Sequence, residues 1–330
     1  MNLFWTTRAL TSQREDHLTE FIAAALEHSP LFRAAYSEFV LGEHARKNGW
    51  DAPVIKTVRT QVCFEATACC PDMILELEDG KRIACEHKLD AGETMGPEHD
   101  PHGQLERYLN LPVDGLFYVR SMWKAPNRHC LDHKKYIRPE WREHFLWRDF
   151  YPLLKPGDHI LVDWLRDGFE RLGFTPPHPS IGEMQGPDYE ENLRNRSNFA
   201  KHWQRTCSFA LEQGWKVERG SIVELYLSAN PDAIASEVFI TPLHGGRMLF
   251  RITPKEGTLE IIKRLETVEL PQFPGFEREE RRVKRKVGDV MVLDVTAPLS
   301  EVLGAAPQSN EQIEEKLLGY IGPLIKALGT

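Results

Sequence analysis

A turn dipeptide between two short apolar runs constrains this chain more than any other local feature. Asp79-Gly80 separates Met73 to Leu77 from Arg82 to Cys85 within the stretch Pro71 to Lys88, and an Asp-Gly pair between β-forming runs is a strong hairpin signal. The side chains then choose between two registers. With Asp79 and Gly80 as a two-residue loop, Glu78 would face Lys81, Leu77 would face Arg82 and Met73 would face Glu86, mixing apolar with charged residues on one face. A type I turn with Gly80 as a left-handed bulge sets Leu77 opposite Lys81 instead. Met73, Leu75, Leu77, Ile83 and Cys85 then share one face, and Asp72, Ile74, Glu76, Arg82, Ala84, Glu86 and Lys88 share the other. A buried face specifies register strongly, so the bulged hairpin is expected, with Asp72 directly opposite Glu86 and Lys88 one pleat further along.

That placement brings together two carboxylates and an amine. Carboxylates on adjacent strands can hold a hard divalent cation, Mg²⁺ or Mn²⁺, which needs few protein ligands and keeps several waters. The backbone carbonyl of His87 lies between them and can add a ligand, whereas the His87 side chain points to the other face and is read as structural. Lys88 can orient or deprotonate a water, or neutralise charge developing on a phosphate.

These residues resemble the motif of the PD-(D/E)XK nuclease superfamily, here Pro71-Asp72, a hairpin, then Glu86-His87-Lys88. A second match follows, because Gln104-Leu-Glu-Arg-Tyr108 has the Gln-x-x-x-Tyr spacing of the exonuclease-like branch. On a helix those two residues lie one turn apart on the same face. The resemblance implies an α/β domain with a restriction-endonuclease-like αβββαβ core and a mixed sheet. It implies Asp72 and Glu86 as metal ligands, Lys88 as the residue assisting the water, and Gln104 and Tyr108 as positioning groups for nucleic acid or the site. It also implies a first-helix glutamate at the metal, for which Glu15 is the candidate and Glu20 the second choice. Glu15 has a competing use as a capping residue, three positions after Ser12.

Along the rest of the chain, apolar residues recur at helical intervals from Thr11 to Leu41, interrupted at Ser29-Pro30, so two helices are expected there. A strand from Ile55 to Phe64 leads into the hairpin. The polar loop from Asp90 to Gly103 precedes the Gln104 helix; its His99, Asp100 and His102 match no metal-site spacing and suit a substrate-facing rim. Leu116 to Arg120 reads as a buried strand reached by a crossover, hence parallel to its neighbour. Trp141 to Leu172 reads as helical with an aromatic stripe serving the core. The proline-rich segment Gly173 to Pro179 marks a boundary, giving domains 1–178 and 179–330.

The second half changes pattern. A helical stretch from Asp188 to Gly214 is followed by apolar runs at Ile222 to Leu227, Ala235 to Ile240, Met248 to Ile252 and Val290 to Val295, with a hairpin at Gly245-Gly246 and helices at Glu260 to Thr267 and Asn310 to Leu328. This is an α+β domain, read as binding nucleic acid or making a homodimer. Arg278, Arg281, Arg282, Lys284, Arg285 and Lys286 crowd one segment of it. Such a run can grip a phosphate backbone, or guard a strand edge.

At 330 residues, 41% hydrophobic and 27% charged, the chain has the composition of a globular protein with room for two cores. No apolar run approaches the roughly 20 residues of a spanning helix, and the N-terminus lacks a secretory pattern, so no membrane partner and a cytoplasmic location are expected. The six cysteines show no Cys-x-x-Cys spacing, so neither a zinc site nor a disulfide framework is expected, and Cys69-Cys70 reads as two small semi-apolar residues. A net charge of −8 excludes a broadly basic surface without excluding a local phosphate-binding patch. Two functions fit: a metal-dependent nuclease acting on DNA, which by analogy suggests restriction or anti-phage defence, and a non-catalytic nucleic-acid- or protein-binding module on the same fold.

Overall fold

Ser29 accepts a hydrogen bond from the Phe32 amide and Pro30 takes the first helical position, the position at which proline's missing N–H costs nothing. Helix α2 (Arg14–His28) therefore ends where α3 (Pro30–Asn48) begins, as the sequence predicts, and Gly49 closes α3 in the left-handed conformation at φ +65°. A short α1 (Leu3–Arg8) precedes them. The computed structural model describes residues 2–9, 11, 13–64, 69–89, 103–124, 126–140, 142–256, 258–267, 275–285, 288–304 and 309–329. It divides into two compact units, Met1–Pro176 and Pro177–Thr330.

In the first unit β1 (Ile55–Thr60), β2 (Met73–Leu77) and β3 (Arg82–Lys88) form an antiparallel meander. The next elements are α4 (Gln104–Leu109) and β4 (Gly115–Arg120), which returns parallel to β3. Beyond α5 (Arg128–Leu131), β5 (Tyr136–Ile137) and β6 (Phe145–Leu146) both pair with β4, completing a six-stranded mixed sheet. Then come α6 (Trp147–Phe150), a 3₁₀ turn at Tyr151–Leu153 and α7 (Ile160–Arg171). The helical stretch expected from Trp141 to Leu172 does divide at Pro156-Gly157, but Phe145 and Leu146 are drawn into the sheet instead, and Pro152 sits in the 3₁₀ turn. Its aromatics do serve the core, with Trp147, Phe150 and Phe169 buried.

The hairpin has the bulged register. The Leu77 amide bonds the Lys81 carbonyl at 2.8 Å, the Gly80 amide bonds the Leu77 carbonyl at 3.0 Å, and Gly80 has φ +86°. Met73 then pairs with Cys85 and Leu75 with Ile83. Met73, Leu75, Leu77, Ile83 and Cys85 join the core formed with α2 and α3, while Ile74 and Ala84 join a second core with Leu105, Tyr108 and Leu109 of α4. Both sheet faces are therefore covered, the usual condition of a parallel pair.

A covalent bond with no sequence signature is present in this unit. Cys63 and Cys70 form a disulfide. They stand seven apart, a spacing with no motif, and are brought opposite each other because the β1–β2 ladder continues past the strand ends to an isolated Phe64–Cys69 bridge. Cys69 is buried and takes no part in the disulfide.

The second unit begins with α8 (Tyr189–Ala200) and α9 (Gln204–Glu212), then the strands β7 (Lys216–Arg219), β8 (Leu225–Ser228), β9 (Ala235–His244) and β10 (Arg247–Pro254). After α10 (Thr258–Thr267) come β11 (Glu277–Arg285), β12 (Gly288–Pro298), α11 (Leu299–Leu303) and α12 (Asn310–Leu328). The sheet order is β11-β12-β10-β9-β8-β7, all antiparallel. Gly245 and Gly246, both at positive φ, turn β9 into β10 as expected. Ser309 and Gln312 cap α12 reciprocally, and Ile313, Leu317, Tyr320, Ile321, Leu324 and Leu328 bury one helical stripe.

Because Gly80 occupies the left-handed region, a β-carbon there costs about 1 kcal/mol or more. Gly80→Ala is expected to lower the urea midpoint of the first unit accordingly, with no change in denaturant slope; an unchanged midpoint would count against the bulged turn.

Candidate active site

Asp72 and Glu86 are one pair beyond the last regular pair of the hairpin, Met73 with Cys85, so the bulged register sets them opposite each other. Asp72 Oδ2 accepts a 2.7 Å hydrogen bond from the His87 amide. In a strand the N–H and C=O of one residue leave on the same edge, so the His87 carbonyl is directed to the edge where β2 has given out, beside the two carboxyls. The His87 ring takes the other face, buried, with Nδ1 2.7 Å from the Thr19 hydroxyl and the ring 4.6 Å from that of Trp147. Burial lowers its pKa to about 3, so it is a neutral packing group, as the sequence suggests.

Glu86 is fully buried. Lys88 Nζ lies 2.5 Å from its Oε1. Burial, then the neighbouring Asp72 charge, raise the Glu86 pKa to about 8 against the opposing pull of Lys88. Burial also raises Asp72, offset by the His87 amide and Lys88. Burial alone would lower Lys88, but Glu86, Asp72 and Glu15 outweigh it and hold the ammonium above its ordinary value. Each group is thus tuned chiefly by desolvation and then by the others.

Glu15 is part of this constellation and does not cap its helix. Gln13 is the N-cap of α2 and makes no side-chain cap bond; Glu15 Oε1 instead accepts from the Leu89 amide at 2.7 Å and Oε2 lies 3.8 Å from Lys88 Nζ. Ser12 lies outside the described residues, and Glu20 is exposed. On α4, Gln104 Nε2 donates to Tyr108 Oη at 2.9 Å, and Tyr108 Oη donates to the Cys70 carbonyl at 2.8 Å. The pair therefore fastens the segment entering Asp72. Burial, then Glu86, raise the Tyr108 pKa, which keeps the hydroxyl a donor.

Sequence reasoning missed several neighbours of the site. Trp147 Nε1 donates to the Lys88 carbonyl at 3.1 Å. Thr19 holds His87; one turn after Glu15, it was legible once Glu15 was placed. Tyr118 and Arg120 pair with Glu86 and Lys88 in the parallel register, so both lie on the carboxylates' face, with Arg120 donating to Tyr118 Oη.

Among the described residues no group of three His, Cys, Asp or Glu side chains is disposed to hold a metal. What is present is a pair of hard carboxylates, two buried oxygens without hydrogen bonds and a carbonyl on the same edge, a donor set that fits a cation keeping most of its waters. His99, Asp100 and His102 lie outside the described residues.

The basic run belongs to the second unit, where it forms an edge strand. Arg278, Arg282 and Lys284 are exposed on one face of β11 with Glu280 among them. Arg281 is on the other face, 3.6 Å from Asp294, which also receives Arg251 through two bonds of 2.7 and 2.8 Å. Lys286 and the Arg285 side chain are outside the described residues. No family model, curated protein or solved structure matches the chain.

The carboxyl pair sets a pH dependence. Folded Glu86 keeps its proton to about pH 8, whereas the unfolded chain releases it near 4.5; the unfolded state then binds fewer protons and stability falls as pH rises through that window. His87 acts oppositely between about 3 and 6.5. With metal chelated, stability is expected to decline between about pH 6.5 and 8, and Glu86→Gln is expected to flatten the decline. Urea unfolding of both proteins checks this; parallel pH profiles would show that Glu86 is not the titrating group.

Proposed function

We propose that the first unit is a metal-dependent phosphodiester hydrolase of the PD-(D/E)XK kind acting on nucleic acid, with DNA as its substrate. The observation that carries the reading is the bulged register, which sets Asp72 opposite Glu86 with Lys88 Nζ 2.5 Å from Glu86. The element order α2, α3, β1, β2, β3, α4, β4 around a mixed sheet supports a restriction-endonuclease-like αβββαβ core.

Asp72, Glu86 and the His87 carbonyl would hold a single Mg²⁺ or Mn²⁺. When bound, such an ion supplies Lewis acidity toward a phosphate oxygen and lowers the pKa of a coordinated water. The chain's own groups do the rest. Lys88, held as an ammonium between Glu86 and Glu15, donates toward the phosphate oxygens on which charge develops. Glu15, anchored through the Leu89 amide, fixes the lysine's reach. Gln104 and Tyr108 hold the Cys70 carbonyl and with it the backbone that presents Asp72. The Thr19–His87–Trp147 packing keeps the end of β3 rigid.

Purified protein incubated with Mg²⁺ or Mn²⁺ and supercoiled, linear and single-stranded DNA is expected to cleave at least one of them. Asp72→Ala and Lys88→Ala are each expected to lower the rate at least about a hundredfold, the scale of a lost electrostatic stabiliser. Cleavage equal in all three proteins would place the activity elsewhere. Specific Mn²⁺ uptake that requires Asp72, without turnover on any nucleic acid, would favour the binding-module reading.

The second unit is assigned a phosphate-binding role along Arg278, Arg282 and Lys284. Each cation that neutralises a phosphate of duplex DNA steepens the fall of log affinity with log salt by about 0.9. Replacing all three by alanine is expected to flatten that slope by about 2 to 3; an unchanged slope would leave these residues as guards of a sheet edge.

A further inference from the structure

We infer that the Cys63–Cys70 disulfide is a reducible clamp on the candidate active site, so that the thiol–disulfide state of this pair governs how firmly Asp72 and Tyr108 are held. Part of this rests on the proposed reading of Asp72 as a metal-binding carboxylate; the clamp itself is measurable without metal.

The antiparallel ladder of β1 and β2 runs from Thr57 with Glu76 to Thr60 with Met73. It continues through the Gln61 amide, which bonds the Asp72 carbonyl at 3.1 Å, to the Phe64–Cys69 bridge. Cys63 and Cys70 occupy the position next to that bridge and are covalently joined. Cys70 is thus tied through its side chain to β1 and through its carbonyl, which accepts from Tyr108 Oη at 2.8 Å, to α4. Asp72 is two residues on, its carbonyl held by Gln61 and its carboxylate by the His87 amide at 2.7 Å. The joint carries strain: Gln61, the residue opposite Asp72, has φ +52°, a conformation that a non-glycine residue keeps only when its surroundings over-determine it. The bridge is one such constraint.

The bridge is also open to reagents. Cys63 is exposed and Cys70 half-buried, whereas Cys69, Cys85, Cys130 and Cys207 are buried thiols. A dithiol reductant attacks with one thiolate at Cys63 Sγ, the Sγ–Sγ bond breaks and Cys70 leaves as a thiolate. The second thiol of the reductant then displaces Cys63 from the mixed disulfide. Two cysteine thiols and one oxidised reductant result, with two electrons and two protons transferred. Freed of the bridge, Gln61 can relax and the hold on the Asp72 backbone weakens.

The full-length protein is compared after oxidation and after dithiothreitol treatment by three measurements. Alkylation under denaturing conditions with mass spectrometry is expected to count four thiols in the oxidised form and six in the reduced, from six cysteines of which four lie outside the disulfide. Exchange of the His87 amide is expected to quicken on reduction while amides at the centre of β4 stay unchanged, a local response that general destabilisation would not produce. Mn²⁺ affinity by calorimetry should fall at least about tenfold, the lower end of what removing the support behind a metal ligand costs. The double variant Cys63→Ser/Cys70→Ser should match the reduced wild type and ignore dithiothreitol; should it fail to fold, the reduced wild type carries the test. Six thiols in the oxidised protein, or His87 exchange and Mn²⁺ affinity alike in both forms, would overturn the clamp. Faster His87 exchange on reduction with no Mn²⁺ binding in either form upholds the clamp and removes the metal-site reading. Mn²⁺ binding and cleavage unaffected by reduction remove the clamp and leave that reading standing.

Discussion

Two carboxyl groups buried side by side repel each other and resist losing their water, and the first unit is arranged to hold such a pair. Glu86 is fully buried opposite Asp72, and the compensation is local: one ammonium from Lys88, one backbone amide from His87. Neither would be in place without the hairpin register. A slip of one residue would send Glu86 into the aliphatic core with Cys85's neighbours and bring His87 up beside Asp72. The left-handed Gly80 therefore sets the electrostatics of a site at the far end of the strands, at residues it never touches. What remains after compensation is two buried Glu86 oxygens outside hydrogen-bond geometry, an arrangement that costs stability.

Much of this could be read before any coordinates because each clue acted over a short distance in sequence. The hairpin register followed from which side chains could share a buried face. The α2–α3 break followed from Ser29-Pro30, and the Gln104–Tyr108 pairing from helical spacing. Glu15 was legible as a partner of the site through the family resemblance, while its spacing from Ser12 pointed to capping instead; the N-cap of the helix is Gln13. The failures share a cause. Cys63 and Cys70 meet only because a ladder runs on past its strands, Trp147 reaches Lys88 across 59 positions, and Phe145-Leu146 joins the sheet although its neighbours are helical. Spacing rules look for ligands of one ion or one face of one helix; they are blind to pairs created by tertiary register.

The second unit shows the same limit in its charges. Six cations in one segment look alike in sequence, yet pairing of β11 with β12 sorts those that can be followed by alternation. Arg281 turns toward Asp294, which is 2% exposed and already bonded by Arg251, while Arg278, Arg282 and Lys284 stand exposed on the opposite face. A buried aspartate between two arginines is a costly group made tolerable by its partners, so Arg281 has a structural occupation whatever the others do. The remaining cations also sit on the outermost strand of the sheet, where charge discourages edge-to-edge pairing with another chain. Edge protection and phosphate binding are compatible uses of one row of side chains, and salt dependence is the property that separates them.

The location of the candidate site follows from the sheet's own geometry. β3 and β4 are parallel and buried on both faces along their length, so a side chain can meet solvent only past their ends. Lys88 and Arg120 are the last residues of these two strands, and Asp72 directly precedes antiparallel β2 at the same end. The carboxyl ends of parallel strands are where open α/β sheets receive ligands, because the strands stop while the flanking helices continue. Here the rigid part of the site, Glu86 and His87, is inside the sheet, held by the cores on its two faces. The adjustable part, Asp72, hangs on a ladder extension secured by a hydrogen bond from Gln61, a tyrosine hydroxyl at Cys70 and a disulfide. A pair of carboxylates with one member fixed by packing and the other by a few separable bonds can be loosened without unfolding the sheet, since local opening of a ladder end costs less than opening its centre.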